Sequence, residues 1–216
     1  MVTIIKKTKQ KAIETKNIIF DSALKVFEKK GFSSTTLEDI AKEAGISRGA
    51  IYWNFKNKQD LYVCLLKEYF NDNFYENLKY NDKSNKDPVA AIREYMYNYF
   101  KILINNEETR KYMEILRYKT EVKTDIGEVL RVEQEIDLKI KEELSKLIRL
   151  GIEAGKIRND IAEGVISMSA LSYLNGIEDS WLINPEAFAL EAYLDNLIDI
   201  FIDGIVKNNK PSSKLK

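Results

Sequence analysis

The sequence predicts an all-α chain, and three observations carry that expectation. Only 3 prolines and 9 glycines interrupt 216 residues, so helix breakers are scarce. Leu, Ile, Lys, Glu and Asn dominate the composition, and the apolar residues recur at three- and four-residue spacing, the period of one helix face. With 44% apolar and 31% charged residues, the chain is long enough to bury a core in one compact domain or two small ones.

The elements follow in order. Ile19, Phe20, Ala23, Leu24 and Phe27 mark one face of a helix over 14–30, stopped by Gly31 after the cations Lys29 and Lys30. Thr36 followed by Asp39 is a capping box that opens a second helix of about two turns, ending at Gly45. Ser47 caps a third short helix through Ile51 and Phe55. Asn57 with Asp60 caps a fourth, which meets no Pro or Gly from 58 to 79 and is expected to run unbroken for roughly 30 Å. The polar run 81–86 is a loop, and Asp87-Pro88 is a cap with proline at the first helical position. A fifth helix carries Ile92, Tyr95, Met96, Tyr99, Phe100 and Leu103. A sixth spans 107–118, a seventh 127–150, an eighth 161–182 and a ninth 190–206. The tail 208–216 reads as disordered.

Charge and residue counts exclude several functions. The 34 basic and 34 acidic residues cancel overall, but residues 1–58 hold twelve Lys and Arg against six Asp and Glu, and 59–216 carry the opposite excess. A basic end on an acidic body suits a segment that meets a polyanion. No apolar run approaches the ~20 residues needed to span a bilayer, and the first residues have no signal core, so a cytoplasmic protein without a membrane partner is expected. With one cysteine and no histidine, the usual metal ligand sets and His-based triads are missing. Cys64 sits in an apolar run. No metal, cofactor or catalytic residue is expected, and the chain does not read as an enzyme.

The second and third helices, joined by a tight turn, are the skeleton of a helix-turn-helix. Ala41 lets two helices cross closely, Gly45 supplies a positive φ, and Ile51 plugs the space between them. The other face of the third helix shows Ser47, Arg48, Gly49, Tyr52, Trp53 and Lys56. Arg48 and Tyr52 lie side by side four residues apart. Arginine can fork onto guanine, and Gly49 lets the backbone approach a groove. Trp53 is equally readable as a cap on the small core.

The stretch 11–65 resembles the DNA-binding domain of the TetR family of one-component repressors. The resemblance rests on Ile19 to Phe27, Gly31-Phe32, Thr35-Thr36-Leu37-Glu38-Asp39-Ile40-Ala41, Ala44-Gly45-Ile46-Ser47-Arg48-Gly49-Ala50-Ile51-Tyr52-Trp53-Asn54-Phe55 and Lys58-Gln59-Asp60-Leu61. The wording Arg-Gly-Ala-Ile-Tyr-Trp is similar to the AcrR- and TtgR-like branch of multidrug-efflux repressors, with Asn54 where that branch usually has histidine. Weaker similarity continues through Met113-Glu114-Ile115-Leu116, Asn175-Gly176 and Trp181-Leu182.

This resemblance implies a nine-helix TetR-like fold. A three-helix DNA-binding domain over 1–58 is joined by the long fourth helix to an effector-binding and dimerisation domain over 59–207. It implies a double-stranded DNA operator, a small amphipathic effector and a homodimer as partners. Thr36, Ser47, Arg48, Gly49, Tyr52, Trp53 and Asn54 are expected at the DNA, with Lys58 on a phosphate. Met96, Tyr97, Phe100, Met113, Arg117, Tyr118, Leu171, Asn175 and Glu178 are expected to line the effector cavity. In the last helix, Tyr193, Leu194, Leu197, Ile198 and Phe201 belong to a stripe too broad for one contact, so a partner helix is expected over them. The function expected is a ligand-responsive repressor, for an efflux or transport gene. The alternative is a DNA-binding adaptor of the same fold without an effector.

Overall fold

The computed structural model describes the backbone of residues 2–70, 74, 78, 87–118 and 127–207, and nine helices run through these described residues. They are α1 (Val2–Lys30), α2 (Leu37–Glu43), α3 (Arg48–Asn54), α4 (Lys58–Tyr69), α5 (Pro88–Asn105), α6 (Glu107–Tyr118), α7 (Gly127–Glu153), α8 (Glu163–Ile183) and α9 (Leu190–Ile205). Four caps read from the sequence are made, whereas the cap expected at Asp160 is not: α8 starts at Glu163, with Ala162 at its N-cap and no side-chain cap bond. The Asp39 amide donates to Thr36 Oγ1 at 3.1 Å while the Thr36 amide donates to an Asp39 carboxylate oxygen at 3.0 Å. Ser47 Oγ accepts from the Ala50 amide at 3.2 Å, Asn57 Oδ1 from the Asp60 amide at 2.7 Å, and Asp87 from the Val89 amide at 2.8 Å. Each such cap satisfies a helix-end donor and is worth about 1 kcal/mol.

Two elements differ from the sequence reading. Helix α1 begins at Val2 rather than near Glu14; Lys, Gln and Ala favour helix by propensity, whereas the periodic signal begins only at Ile19. Helix α4 is regular to Tyr69, and Phe70 and Phe74 then wind as π-helix. The rest of its expected path to 79, the loop 81–86 and the tail 208–216 lie outside the described residues.

The chain divides into two compact units, one of Met1–Asp72 with Glu107–Glu133 and one of Asn73–Asn106 with Gln134–Lys216. The division expected at residue 58 is a functional one, whereas packing keeps α4 and α6 with the first three helices. In the first unit, Ile19, Ala23 and Phe27 of α1, Ile40 and Ala41 of α2, Ile51 of α3 and Leu61, Leu65 and Leu66 of α4 are buried. Gly45, at φ 65°, makes the turn between α2 and α3, and the Ile46 amide closes it on Ala41 O at 3.0 Å. Phe27, Phe32 and Tyr62 form an aromatic cluster with centroids 4.9 to 5.9 Å apart.

In the second unit, α5 packs on α9. Arg93 pairs with Asp195 and Asp199, and Lys101 with Glu191 at 2.8 Å. Its core is built from Ile92, Met96 and Phe100, from Leu144, Leu147 and Ile148, and from the inner faces of α8 and α9. Gly151 lies so close to Ile157 that a Cβ there would stand 2.4 Å from its Cδ1. The chain thereby turns tightly out of α7, and Ile157 forms an isolated antiparallel bridge with Val206. Among the described residues no helix is long and apolar enough to cross a membrane.

Asp39 gives a direct test of the helix-turn-helix frame. The Lys30 ammonium, 2.7 Å away, and then the Thr36 hydroxyl hold its carboxyl at about 2, against 3.8 for an unperturbed aspartate. A depressed carboxyl stabilises the fold fully above the unperturbed value and loses that contribution as pH falls through its folded value. A carboxyl-carbon NMR titration should find Asp39 titrating near 2, and Lys30→Ala should move it up toward 3.8. An unshifted midpoint in wild type would mean that the Lys30 contact is not formed in solution.

Candidate nucleic-acid interface

Helix α3 is seven residues long with a single buried side chain, Ile51. Every polar residue expected at the DNA is therefore free to face outward. Thr36, Ser47, Arg48, Gly49, Tyr52, Trp53 and Asn54 are all exposed. Trp53 is 90% exposed and does not cap the core. Gly49 has open space around its Cα, with Ser47 Oγ at 4.0 Å the nearest atom to an added Cβ. Nothing within the chain requires glycine there.

The sequence reading missed Glu38. Its Oε1 accepts from the Tyr52 hydroxyl at 2.9 Å and pairs with the Arg48 guanidinium at 3.1 Å, while Arg48 lies 5.5 Å from the Tyr52 ring centroid. A backbone hydrogen bond and then the Tyr52 hydroxyl hold the Glu38 carboxyl below its usual range. One acid on α2 thus fixes two neighbouring side chains of α3. A Glu two residues after an N-cap is commonplace for helix-dipole reasons, so nothing in its local pattern singles it out. Asn54 stays exposed but folds back on its own helix, donating to Ala50 O at 2.8 Å. Lys58 is occupied as well: its ammonium donates to Phe32 O and to Ser33 O, the latter at 3.1 Å.

The residues expected to line an effector cavity fall in both units. In the second, Met96, Phe100, Leu171 and Glu178 are buried, and Tyr97 and Asn175 are half-buried. Met113 is buried in the first unit, and the side chains of Arg117 and Tyr118 are outside the described set. Glu178 is a fully buried acid on α8, and the Tyr99 hydroxyl of α5 donates to it. Tyr99 was not among the expected residues because its spacing marks it as core. One turn earlier, the Tyr95 hydroxyl is buried with no hydrogen-bond partner. Burial, and secondarily the Glu143 charge, push its phenol well above the ordinary range. A buried hydroxyl without a partner costs about 1–3 kcal/mol, so this interior has unused hydrogen-bonding capacity. Among the described residues no group of acids, Cys or His stands ready to hold a metal.

The expected dimer stripe splits in two. Leu194, Ile198 and Phe201 are buried within their own unit, Leu197 is half-buried, and Tyr193 is exposed. The outward face of α9 is Tyr193, Leu197, Ile200 and Gly204. Helix α8 exposes Val165, Met168, Ser172, Gly176, Ser180 and Ile183 at matching helical spacing. Ile183 and Ile200 are 69% and 66% exposed. Two adjacent helices with apolar and small residues outward are unusual for a solvated surface.

Residues 19–64 match the family model for the N-terminal domain of bacterial regulatory proteins of the tetR family, and residues 87–206 match the C-terminal region of MAATS-type transcriptional repressors. The HTH-type transcriptional regulator AcrR of Shigella flexneri is 32% identical over 199 residues, covering 92% of each chain. Among solved structures, NalD, the secondary repressor of the MexAB-OprM multidrug efflux pump in Pseudomonas aeruginosa, superposes with a TM-score of 0.79 at 23% identity, over 91% of this chain and 99% of its own. SmeT of Stenotrophomonas maltophilia in complex with triclosan gives 0.77 at 24% identity, over 94% and 97%.

The Tyr99–Glu178 bond generates a stability prediction. Tyr99→Phe should lower the unfolding free energy by about 1–3 kcal/mol, because a buried carboxyl loses a donor. Glu178→Gln keeps an acceptor and should lose less. Urea melts of both variants test this, and an unchanged Tyr99→Phe midpoint would show that the bond contributes nothing.

Proposed function

The chain belongs to the TetR family of bacterial regulatory proteins, and on that footing we propose how it works as an effector-responsive, DNA-binding transcriptional repressor. The observation that carries the reading is the outward face of α3. Arg48 and Tyr52 are pre-set by Glu38, beside a glycine that nothing in the chain requires. A helix entering a major groove needs that combination: a forked donor for base edges, an aromatic ring on the sugar-phosphate wall, and no Cβ where the backbones meet. Trp53 and Thr36 flank this face and take the sugar-phosphate backbone.

The partner is a second copy of the chain, covering the exposed apolar faces of α8 and α9. Two α3 helices must then stand about 34–36 Å apart to enter successive major grooves. An effector that widens this spacing through α4 releases the DNA, by no more than its differential affinity for the two states. The effector is a bulky amphipathic molecule whose rings lie against Met96, Phe100 and Leu171. Its polar groups use Glu178 and the spare Tyr95 hydroxyl. Similarity to AcrR, and a fold shared with NalD, support control of an efflux or transport gene from the cytoplasm.

Fluorescence anisotropy with the palindromic DNA flanking the gene tests the reading. Binding should fall steeply with salt, because the basic first 58 residues act twice in a dimer. Arg48→Ala should cost about 1–3 kcal/mol and relax sequence preference, and triclosan, used as a probe amphipath, should weaken wild-type binding. Undiminished binding by Arg48→Ala would remove α3 as the reader.

Assembly has its own test. Ile200→Asp places two carboxylates across a symmetric interface without disturbing the chain's own core. The variant should sediment as a monomer with unchanged helicity and lose specific DNA binding. A dimeric Ile200→Asp protein would place the interface elsewhere.

A further inference from the structure

Helix α2 opens with two successive acids that do different things. Asp39 serves the fold: it completes the capping box with Thr36 and binds Lys30 at the end of α1. Glu38 serves the outward face of α3. Its Oε1 accepts from the Tyr52 hydroxyl at 2.9 Å and meets Arg48 Nη2 at 3.1 Å, and the Arg48 guanidinium lies 5.5 Å from the Tyr52 ring centroid. Acid, cation and ring thus close on one another. The Arg48 and Glu38 side chains are 75% and 42% exposed, and an ion pair so open to water adds little to stability. An acid here also works against affinity. Its carboxylate stands within a Debye length of anything Arg48 touches, on a surface that must approach a polyanion. Neither folding nor the strength of DNA binding accounts for Glu38.

Selectivity does. Binding to arbitrary DNA rests on cations meeting phosphates, whereas recognition rests on donors meeting base edges. An unpaired arginine serves both equally well. Paired with Glu38, Arg48 presents no net charge to a phosphate, and swinging away to reach one leaves a bare carboxylate facing the DNA. Guanine O6 and N7 are neutral acceptors and set no such penalty. The guanidinium carries five N–H donors in a planar fork, so the contact from Nη2 to Glu38 leaves donors for a guanine edge while the pair stays closed.

We infer that Glu38 is a specificity-determining residue that acts through Arg48: it withholds the guanidinium charge from phosphates and leaves its fork available to a base edge, so that discrimination comes from weakened binding to the wrong DNA. This role rests on α3 being the reading helix. Glu38 is accordingly a positioning residue, and the group it positions is the one that touches the base.

The test compares wild type, Glu38→Gln, Arg48→Ala and the double variant. Glutamine keeps an acceptor for the Tyr52 hydroxyl and removes the charge. Anisotropy titrations across salt concentrations use two duplexes of equal length, one selected by wild type from a random-sequence pool and one of mixed sequence. Glu38→Gln should bind the mixed-sequence duplex about tenfold more tightly, the scale of one hydrogen bond to a charged group. Its salt slope there should steepen by about 0.9 per subunit as Arg48 takes a phosphate, and the ratio of selected to mixed-sequence affinity should fall about tenfold. In the Arg48→Ala background the same substitution should change neither slope nor ratio, because the charge it frees is gone. Unchanged mixed-sequence binding in Glu38→Gln would overturn the proposal. So would an equal loss on both duplexes, which would make Glu38 a structural support. A steeper slope that persists without Arg48 would make Glu38 act on the DNA directly, and would overturn it too. NMR of the Arg48 guanidinium in the free protein reads the pair itself: rotation about its Cζ–Nη bonds should be slower in wild type than in Glu38→Gln, and equal rates would show that no pair is held. If wild type selects no duplex from the pool, the reading of α3 falls, while the guanidinium rotation still decides whether Glu38 holds Arg48.

Discussion

A seven-residue helix cannot hold itself together in water, and the candidate nucleic-acid interface of this protein stands on one. Helix α3 is kept in place by the burial of Ile51, worth about 1.5–3 kcal/mol, by the Ser47 cap at its start and by the buried Phe55 that follows it. That economy is what leaves Arg48, Gly49, Tyr52 and Trp53 outside. A broader apolar stripe would anchor α3 better but would consume the residues that can meet a groove. The short helix is therefore a constraint on the neighbours. Ala41 must be small, Gly45 must turn with a positive φ, and Glu38 must reach across to hold Arg48 and Tyr52.

The second unit solves the opposite problem. Its helices have more apolar surface than one chain needs, and the surplus is divided between an inner and an outer face. On α9, Leu194, Ile198 and Phe201 look inward while Tyr193 and Ile200 look out. On α8, Glu178 is taken into the core opposite Tyr99 while Met168 and Ile183 stay exposed. Burying an acid is costly unless it is hydrogen-bonded. Here the Tyr99 hydroxyl supplies that bond, while one turn away on α5 the buried Tyr95 hydroxyl has no partner.

Much of this was legible in the sequence because it depends on local rules. Capping residues act within one turn of themselves, so Thr36, Ser47, Asn57 and Asp87 could each be placed at a helix start from spacing alone. Helix periodicity likewise picked out Ile19, Ile40, Ile51 and Ile92 as core, and the motif from Ala44 to Phe55 carried the family. Composition announced the all-α class and the basic end.

What tertiary structure decided were the partnerships between residues far apart in the chain. Tyr99 and Glu178 are brought together only by the packing of α5 on α8, and Glu38 meets Tyr52 only because the Gly45 turn sets α3 across α2. Lys58 reads as a free cation at a helix start until Phe32 and Ser33, which the chain reaches through α2 and α3, are folded beneath it. The broad stripe of α9 could be recognised as covering two surfaces, but not which residue faced which, because a helix with apolar residues on more than half its circumference does not encode its own rotation. The positions of α5 and α8 fix that rotation, and with it the burial of Phe201 and the exposure of Ile200.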